Sequence, residues 1–477
     1  MNAGALRLPL RSKLALGVGS GAFGIKDQGF NALLMLYYNQ VVGLPAAWVG
    51  LAILIATLVD AVADPLIGQW SDRLQSRLGR RHPFMYAAAI PVALSYALVW
   101  MPPSAVHEIQ FVYLLGVSIA VRVAISLYEV PAAALTAELT TDYDERTSLA
   151  TYRFLFQALG LIGIGVLVFN VFLKPTAEQP VGQLNAGGYV QYGIVAAAIM
   201  MVCIFAAARG THRYIPLLRA TSTAQHGRLR DNLRVLLTDR TYVSVVLCIF
   251  FWAVAVGIST TLGSYVMTYL WKLTAAQMAA YSGAAGIGLF LGVIAAAASR
   301  RFGKKSVAIT SFAIALVGAA LLITLRLLGV IDWEGEAALP YLMLQNAVLY
   351  LGVVTGNIMG ASMLADVADV LELKTGKRME GLMFAALIMI MKAVSGMGVF
   401  GSGMILSAIG FPERADPATI DPQIVESLGL IFAISLVVLV SLAILSMSFY
   451  PITRQMQERT LADLAQARTT PAEGKPA

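Results

Sequence analysis

The chain holds 477 residues, of which 58% are hydrophobic and 13% charged, with a mean hydropathy of +0.74. A soluble domain of this length cannot bury so much apolar surface, so the surplus faces lipid and the sequence predicts an all-α membrane protein. The formal charge of +7 does not indicate nucleic acid, because the basic residues lie at alternate ends of apolar stretches and not in one solvated stripe.

Apolar stretches of about 20 residues, enough to cross a ~30 Å hydrocarbon core as helix, recur throughout the chain. They predict twelve transmembrane helices at about 14–38, 46–70, 84–101, 110–135, 148–172, 188–209, 241–270, 275–298, 306–327, 338–365, 383–409 and 423–450. The first starts basic but is interrupted by Lys26 and Asp27 and has no small-residue cleavage site, so it reads as a retained helix and not a signal peptide. The second holds Asp60 and Asp64, the fourth Arg122 and Glu129, the fifth Arg153 and the eleventh Lys392. A charge at the bilayer centre costs at least ~2.5 to 3.5 kcal/mol, so each of these needs a reason.

Their spacing gives one. Asp60 and Asp64 share a face with Thr57 and Gly68; Arg122, Ser126 and Glu129 follow one stripe; Asp27, Asn31 and Tyr38 another; Arg153, Gln157 and Gly160 a fourth. Only a shared interior hides all of these stripes from lipid, either as a salt-bridged core or as a water-accessible path. Pairing of acids with bases accounts for single charges. Two carboxylates one turn apart, however, repel unless a cation or a proton sits between them.

The segment 210–240 is the longest polar interruption and divides the chain into a six-helix half at 1–209 and another at 241–450, followed by a tail at 451–477. Ser76-Arg77-Leu78-Gly79-Arg80-Arg81 after the second helix is echoed by Ser299-Arg300-Arg301-Phe302-Gly303-Lys304-Lys305 after the eighth. Basic residues before the first helix, after the second, in the central segment and after the eighth place both termini in the cytoplasm, since the opposite connections at 39–45, 102–109 and 328–337 have no Lys or Arg. The tail reads as a short polar helix and a disordered end.

Other classes fall away. The nearest approach to a P-loop, at Gly303-Lys304, has Ala298 in place of the first glycine and Lys305 in place of the hydroxyl residue, so no ATPase of that type is present. His82, His107, His212 and His226 are placed in loops, which argues against a histidine-bound metal or a histidine base at membrane depth. No repeated filter sequence suggests a channel. Cys203 and Cys248 fall in apolar spans and read as packing residues.

Five stretches resemble one family. They are Gly21-Ala22-Phe23-Gly24 with Lys26 and Asp27; Asp60-Ala61-Val62-Ala63-Asp64-Pro65-Leu66-Ile67-Gly68; Ser71-Asp72-Arg73 through to Arg80-Arg81-His82-Pro83; Glu129-Val130-Pro131 leading to Glu138 and Asp142-Tyr143-Asp144-Glu145-Arg146; and Ala365-Asp366-Val367-Ala368-Asp369 with Glu372 through Gly381. Over about 12–450 the chain resembles the glycoside-pentoside-hexuronide:cation symporters of the major facilitator superfamily, typified by melibiose permease. The resemblance implies symport of a small solute, usually a sugar, with H+, Na+ or Li+, in a bacterial inner membrane and without a cofactor. It makes Asp60, Asp64, Ser126 and Lys392 the cation-binding set, with no other metal site, and Lys26, Asp27, Glu129 and Arg153 the substrate-binding set. Arg73, Asp142, Arg146, Asp366, Asp369, Glu372 and Arg378, with Asp72 and Glu138, are candidates for a cytoplasmic gate of ion pairs.

Two departures stand out. Ala63 replaces an asparagine ligand between the two cation-site acids, which removes one Na+ oxygen and favours H+. The family's sugar-side tryptophans fall at Ala133 and Asn357, so an apolar sugar face needs another platform, for which Tyr37, Tyr38, Tyr128 and Trp252 are candidates. Lipid-carrying relatives share the scaffold, which makes a lysophospholipid or another amphiphile the alternative cargo. The expected partners are a small solute, a coupling cation and the lipid bilayer; nucleic acid is not among them, and the oligomeric state stays open.

Overall fold

The computed structural model describes residues 8–140, 143–217, 236, 238–375 and 380–469. α1 (Leu10–Gln28) runs on through a π turn at Gly29–Leu33, a short α turn at Leu34–Leu36 and a second π turn at Tyr37–Val42. There follow α2 (Ala46–Arg73), α3 (His82–Val99), α4 (His107–Leu139), α5 (Tyr143–Leu167) and α6 (Ala186–Thr211). The second set is α7 (Arg240–Tyr265), α8 (Ala275–Ala296), α9 (Lys304–Leu327), α10 (Gly335–Thr375), α11 (Glu380–Ala408) and α12 (Pro422–Ser448), with a polar α13 (Arg454–Thr469) after it. Among the described residues eleven helices are long and apolar enough to cross a membrane, and α1 with its π continuation is a further long helix.

Local chemistry explains where several helices begin. The Asn185 carboxamide accepts from the Gly188 amide at the start of α6, and the Asp239 carboxylate accepts from Thr241 and Tyr242 at the start of α7. Thr274 and Gln277 close a reciprocal capping box on α8, and Asp421 precedes Pro422 at the start of α12. The outer surface is apolar: Val62 and Leu66 on α2, Leu94 on α3, Phe290 on α8 and Leu344 on α10 are all more than 60% exposed, as side chains in contact with acyl chains would be.

Packing repeats from one half to the other. In the first half α1 packs on α5 and α6, α3 on α4 and α6, and α2 on α4; in the second α7 packs on α11 and α12, α9 on α10 and α12, and α8 on α10. Each contact recurs six helices later. Between the halves the main contacts are α2 with α11 and α5 with α8, which also exchange under that rule.

The echoed basic motifs have a shared geometry. Gly79 and Gly303 adopt φ of +73° and +82°, values that side-chain-bearing residues avoid. Each then places a cation against an acid on the fourth helix of its half. Arg81 pairs with Glu138 at 2.8 Å, and Lys304 with Asp366 at 2.7 Å.

Some boundaries differ from expectation. The tenth helix, expected to end near 365, continues to Thr375, because the stretch after Gly360 has no glycine or proline to stop it before Gly376; Asp366, Asp369 and Glu372 therefore stand on a helix and not beyond one. His82 and His107 open α3 and α4, and His212 opens a short 3₁₀ turn, so these three are not loop residues; His226 lies outside the described residues. His82 is buried, with its Nε2 at 3.0 Å from the Thr211 hydroxyl. Most of the central segment, 218–235, and the tail from 470 also lie outside the described residues.

Close helix crossings depend on small residues, as they do where lipid offers no hydrophobic driving force. A Cβ on Gly318 of α9 would lie 2.7 Å from the Leu349 amide nitrogen of α10. Backbone cannot move aside as a side chain can. Gly318→Val is expected to destabilise the second half by about 1–3 kcal/mol, read as a lower unfolding temperature of the purified chain in detergent.

Candidate functional site

Pro65 sits inside α2 one residue after Asp64, on an exposed face of the helix. One turn earlier, Asp60 is buried and accepts a hydrogen bond from Ser126 Oγ of α4 at 2.6 Å. Lys392 of α11 reaches across from the other half and joins both acids, hydrogen bonding to Asp64 Oδ2 and lying 3.5 Å from Asp60 Oδ2. Arg122 of α4 lies 3.8 Å from the same Asp60 oxygen. Two acids one turn apart need a cation or proton between them; the chain itself supplies cations, and Asp64 Oδ1 and Arg122 Nε are left buried without a hydrogen bond.

The second charged set stands beside the first. Lys26 and Asp27 of α1 pair at 2.7 Å, with the Lys26 ammonium 4.0 Å above the Phe23 ring. Arg153 of α5 donates from Nε to Ser20 at 3.2 Å and from Nη1 to Thr136 at 3.4 Å. Glu129 faces Lys392, Lys26 and Arg153 electrostatically, yet its Oε2 is buried with no hydrogen-bond partner. Ser20, Phe23, Tyr128, Glu129, Thr136 and Arg153 line a cavity of about 380 Å³, which reaches the exposed Ala150 towards the basic end of the bundle. A buried carboxylate oxygen and a guanidinium on one cavity wall can accept from and donate to the hydroxyls of one solute.

The aromatic candidates separate. Tyr128 lines this cavity, as does Ala133. Tyr37 and Tyr38 are instead committed to the packing of the first half, donating to the carbonyls of Trp100 and Val99 at 3.0 and 2.8 Å. Trp252 is held by Asn357, to which its indole donates at 3.1 Å, and it packs on Phe312.

At the basic end the candidate gate residues with named partners pair inside their own half. Arg81 joins Asp72 and Glu138, with Arg80 also on Glu138; Lys304 joins Asp366, and Gln457 donates to Asp369 at 2.7 Å. Arg73 is exposed and Glu372 half-buried. Asp142 and Arg378 lie outside the described residues, as does the side chain of Arg146. Asp239, ahead of α7, is pushed up by partial burial but more strongly down by the Tyr242 amide, Lys374 and the Thr241 amide, so its carboxyl titrates below the usual range.

The far end is closed across the halves mainly by uncharged groups, with Arg414 also donating to the Val42 carbonyl at 2.6 Å. Thr261, Ser264 and Tyr265 of α7 donate to the carbonyls of Asn31, Ala32 and Met35 at 2.9, 2.6 and 3.1 Å. Those carbonyls lie in or beside the π turns of α1, where the altered backbone pairing makes room for side-chain donors. Tyr269 donates to Gln40 Oε1 at 2.8 Å, and the same oxygen accepts from the Ala415 amide at 2.9 Å. The available signal was a pair of amides, Asn39-Gln40, at the end of the first helix and two tyrosines one turn apart at the equivalent end of the seventh.

Two outcomes follow. Lys392→Ala should lower the stability of the purified chain by about 1–3 kcal/mol, and adding Asp64→Asn should recover most of it in thermal melts, because the single change leaves a carboxylate unpaired. Gln40→Leu removes the shared acceptor at the far end; with spin labels at Val106 and Val330 and both cysteines replaced, electron–electron resonance should show the widely separated population rising roughly fivefold or more, the effect of losing about 1–3 kcal/mol from one state.

The family model described as "MFS/sugar transport protein" matches residues 15–454. An uncharacterized symporter of Synechocystis sp. is 27% identical over 88% of this chain and 90% of its own. The isoprimeverose transporter of Lactiplantibacillus pentosus is 26% identical over 96% of this chain and 92% of its own. Among solved structures, a point mutant of the nucleoside transporter NupG superposes with a TM-score of 0.63 at 15% identity, covering 93% of this chain and 100% of that one.

Proposed function

Because this chain belongs to the family of MFS/sugar transport proteins, we propose that it is a secondary active symporter moving a small hydroxylated solute, a sugar or glycoside, together with H+ or Na+ by alternating access. It is a transporter and not an enzyme. The energy comes from the ion gradient, and no cofactor takes part.

The observation that carries this reading is the tie of Asp60 and Asp64 to Lys392 across the two halves, beside a cavity with Glu129 and Arg153 on its wall. A cation arriving at either acid competes with Lys392 for the carboxylate. Its binding therefore weakens a contact that holds α2 to α11, and the energy of ion binding is felt at the interface that has to move. A solute bridging Glu129 and Arg153 fills the neighbouring cavity and satisfies the orphaned Glu129 oxygen. The Glu129 carboxylate and the Arg153 guanidinium on that cavity's wall, and a relative named for isoprimeverose transport, favour a sugar over an amphiphile.

Orientation follows from charge. The end that carries Arg73, Arg80, Arg81, Lys304 and Lys305 is the cytoplasmic one under the positive-inside rule, with both termini on that side of a bacterial inner membrane. The far-end seal is then extracytoplasmic, and this conformation faces inward.

The purified chain in liposomes, offered a panel of radiolabelled sugars, glycosides and a lysophospholipid under separate proton and sodium gradients, should accumulate a hydroxylated solute against its own gradient. Asp64→Asn should reduce that accumulation by at least about tenfold. Uptake indifferent to both gradients, or unchanged in the variant, would sink the symport reading.

A further inference from the structure

Arg122 is the charged residue at mid-depth that solute contact and interhelical bracing leave without a task. It enters from α4, the helix that also brings Ser126, and its guanidinium lies 3.8 Å from Asp60 Oδ2 and 5.2 Å from the centre of the Phe30 ring. The residue is 5% exposed, and its Nε is buried with no hydrogen-bond acceptor. A guanidinium placed for bracing alone would donate its N–H groups in a fork to the carboxylate. Here one nitrogen stands off at ion-pair distance, in contact with Asp60 by charge and not by a close hydrogen bond.

Every group facing Asp60 bears on what else can bind there. From α2 come Thr57 and Asp64; from α4, Arg122 and Ser126; from α11, Lys392; and Asp27 of α1 acts on Arg122 through space. A sodium ion must exchange its hydration shell for protein oxygens arranged around it. Thr57 donates its hydroxyl to the Ile53 carbonyl at 2.7 Å, Ser126 donates to Asp60 itself, and the residue between the two acids is Ala63. Asp60 Oδ2 itself faces two cations, Lys392 at 3.5 Å and Arg122 at 3.8 Å. Lys392 is a flexible ammonium on a side chain 18% exposed and can swing out, whereas Arg122, at 6%, is confined by the Phe30 ring.

A proton makes no such demand. It adds to one lone pair of Asp60 Oδ2, taken from water on the side to which the carrier is open, and returns to water on the other side after the halves have rocked. We propose that Arg122 sets the coupling ion: its guanidinium stands as a tethered cation at Asp60, in the place where a metal ion would need oxygens, so that the site exchanges protons and does not hold Na+. This rests on the symport reading and narrows it.

The test needs no knowledge of the solute. Equilibrium binding of radiolabelled sodium to the purified full-length chain in detergent is measured by scintillation proximity, with choline chloride holding ionic strength constant. Wild type and Arg122→Lys should show no saturable binding. Arg122→Gly, which opens space for water ligands, and the near-isosteric Arg122→Gln should each gain at least about tenfold in bound sodium, since the unit charge removed lies 3.8 Å from the Asp60 oxygen and its repulsion of a cation there is worth more than that in a partly buried setting. Adding Asp60→Asn should abolish the gain. Saturable binding to wild type that is lost in Asp60→Asn would overturn the proposal, as would monodisperse Gly and Gln variants that bind none. Failure of both to fold while Arg122→Lys folds would also overturn it, by making the residue a structural brace. Sodium binding by wild type leaves symport standing, whereas uptake blind to both gradients removes symport whatever the binding shows, so the two failures are distinguishable.

Discussion

Two carboxylates inside a lipid-facing bundle need counter-charges, and Lys392 reaches both of them from the opposite half of the molecule while Arg122 stands beside Asp60. Most of the arrangement at mid-depth follows from that one constraint. The ammonium cannot reach Asp60 and Asp64 unless α2 and α11 lie close, and they do so through small residues: a Cβ on Gly396 of α11 would meet the Thr57 side chain at 2.8 Å. Thr57 occupies the same face of α2 as the acids. The charge tie and the close crossing are thus two aspects of one interface, and an ion that disturbs the first acts directly on the second.

The halves are alike in packing and unlike in chemistry. Each of the five principal helix contacts in the first half has its counterpart six helices later, and so does the anchoring of a basic loop to an acid on the fourth helix, Arg81 with Glu138 and Lys304 with Asp366. The mid-depth charges do not follow that symmetry. Lys26, Asp27, Asp60, Asp64, Arg122, Glu129 and Arg153 belong to the first half, and Lys392 is the contribution of the second. A duplicated frame has been given one chemically loaded side, and the other half supplies a counter-charge and a moving wall.

Much of this was legible in the sequence because burying charge in lipid is costly and leaves a visible trace. The apolar lengths located the helices, and the four-residue spacing of Asp60 and Asp64 placed both on one face. The positions of Lys26, Asp27, Glu129, Arg153 and Lys392 assembled as neighbours for the same reason. What the pattern could not show was partner choice. The two acids seemed to require an added cation, yet Lys392 and Arg122 were already there, because one-dimensional spacing says nothing about which helix lies opposite. Tyr37 offered an aromatic face that packing with Trp100 and Tyr189 had taken up, and Tyr38 packs edge-on against Tyr37. The amides, hydroxyls and π turns of the far end escaped notice because uncharged groups in a membrane helix satisfy one another quietly and leave no compositional signal.

The two ends of the molecule are consequently held by different forces. Ion pairs dominate the basic end, and partly exposed ion pairs weaken as dissolved salt screens them over a Debye length of about 8–10 Å. The seal that joins α1 to α7 and to the loop at Ala415 is built from tyrosine, glutamine, serine and threonine donating to neutral oxygens, out of reach of that screening. The ion pairs that this end does carry, Glu334 with Lys272 and Arg326, lie within the second half and outside that seal. A seal of neutral donors and acceptors keeps the same strength in dilute and in concentrated media.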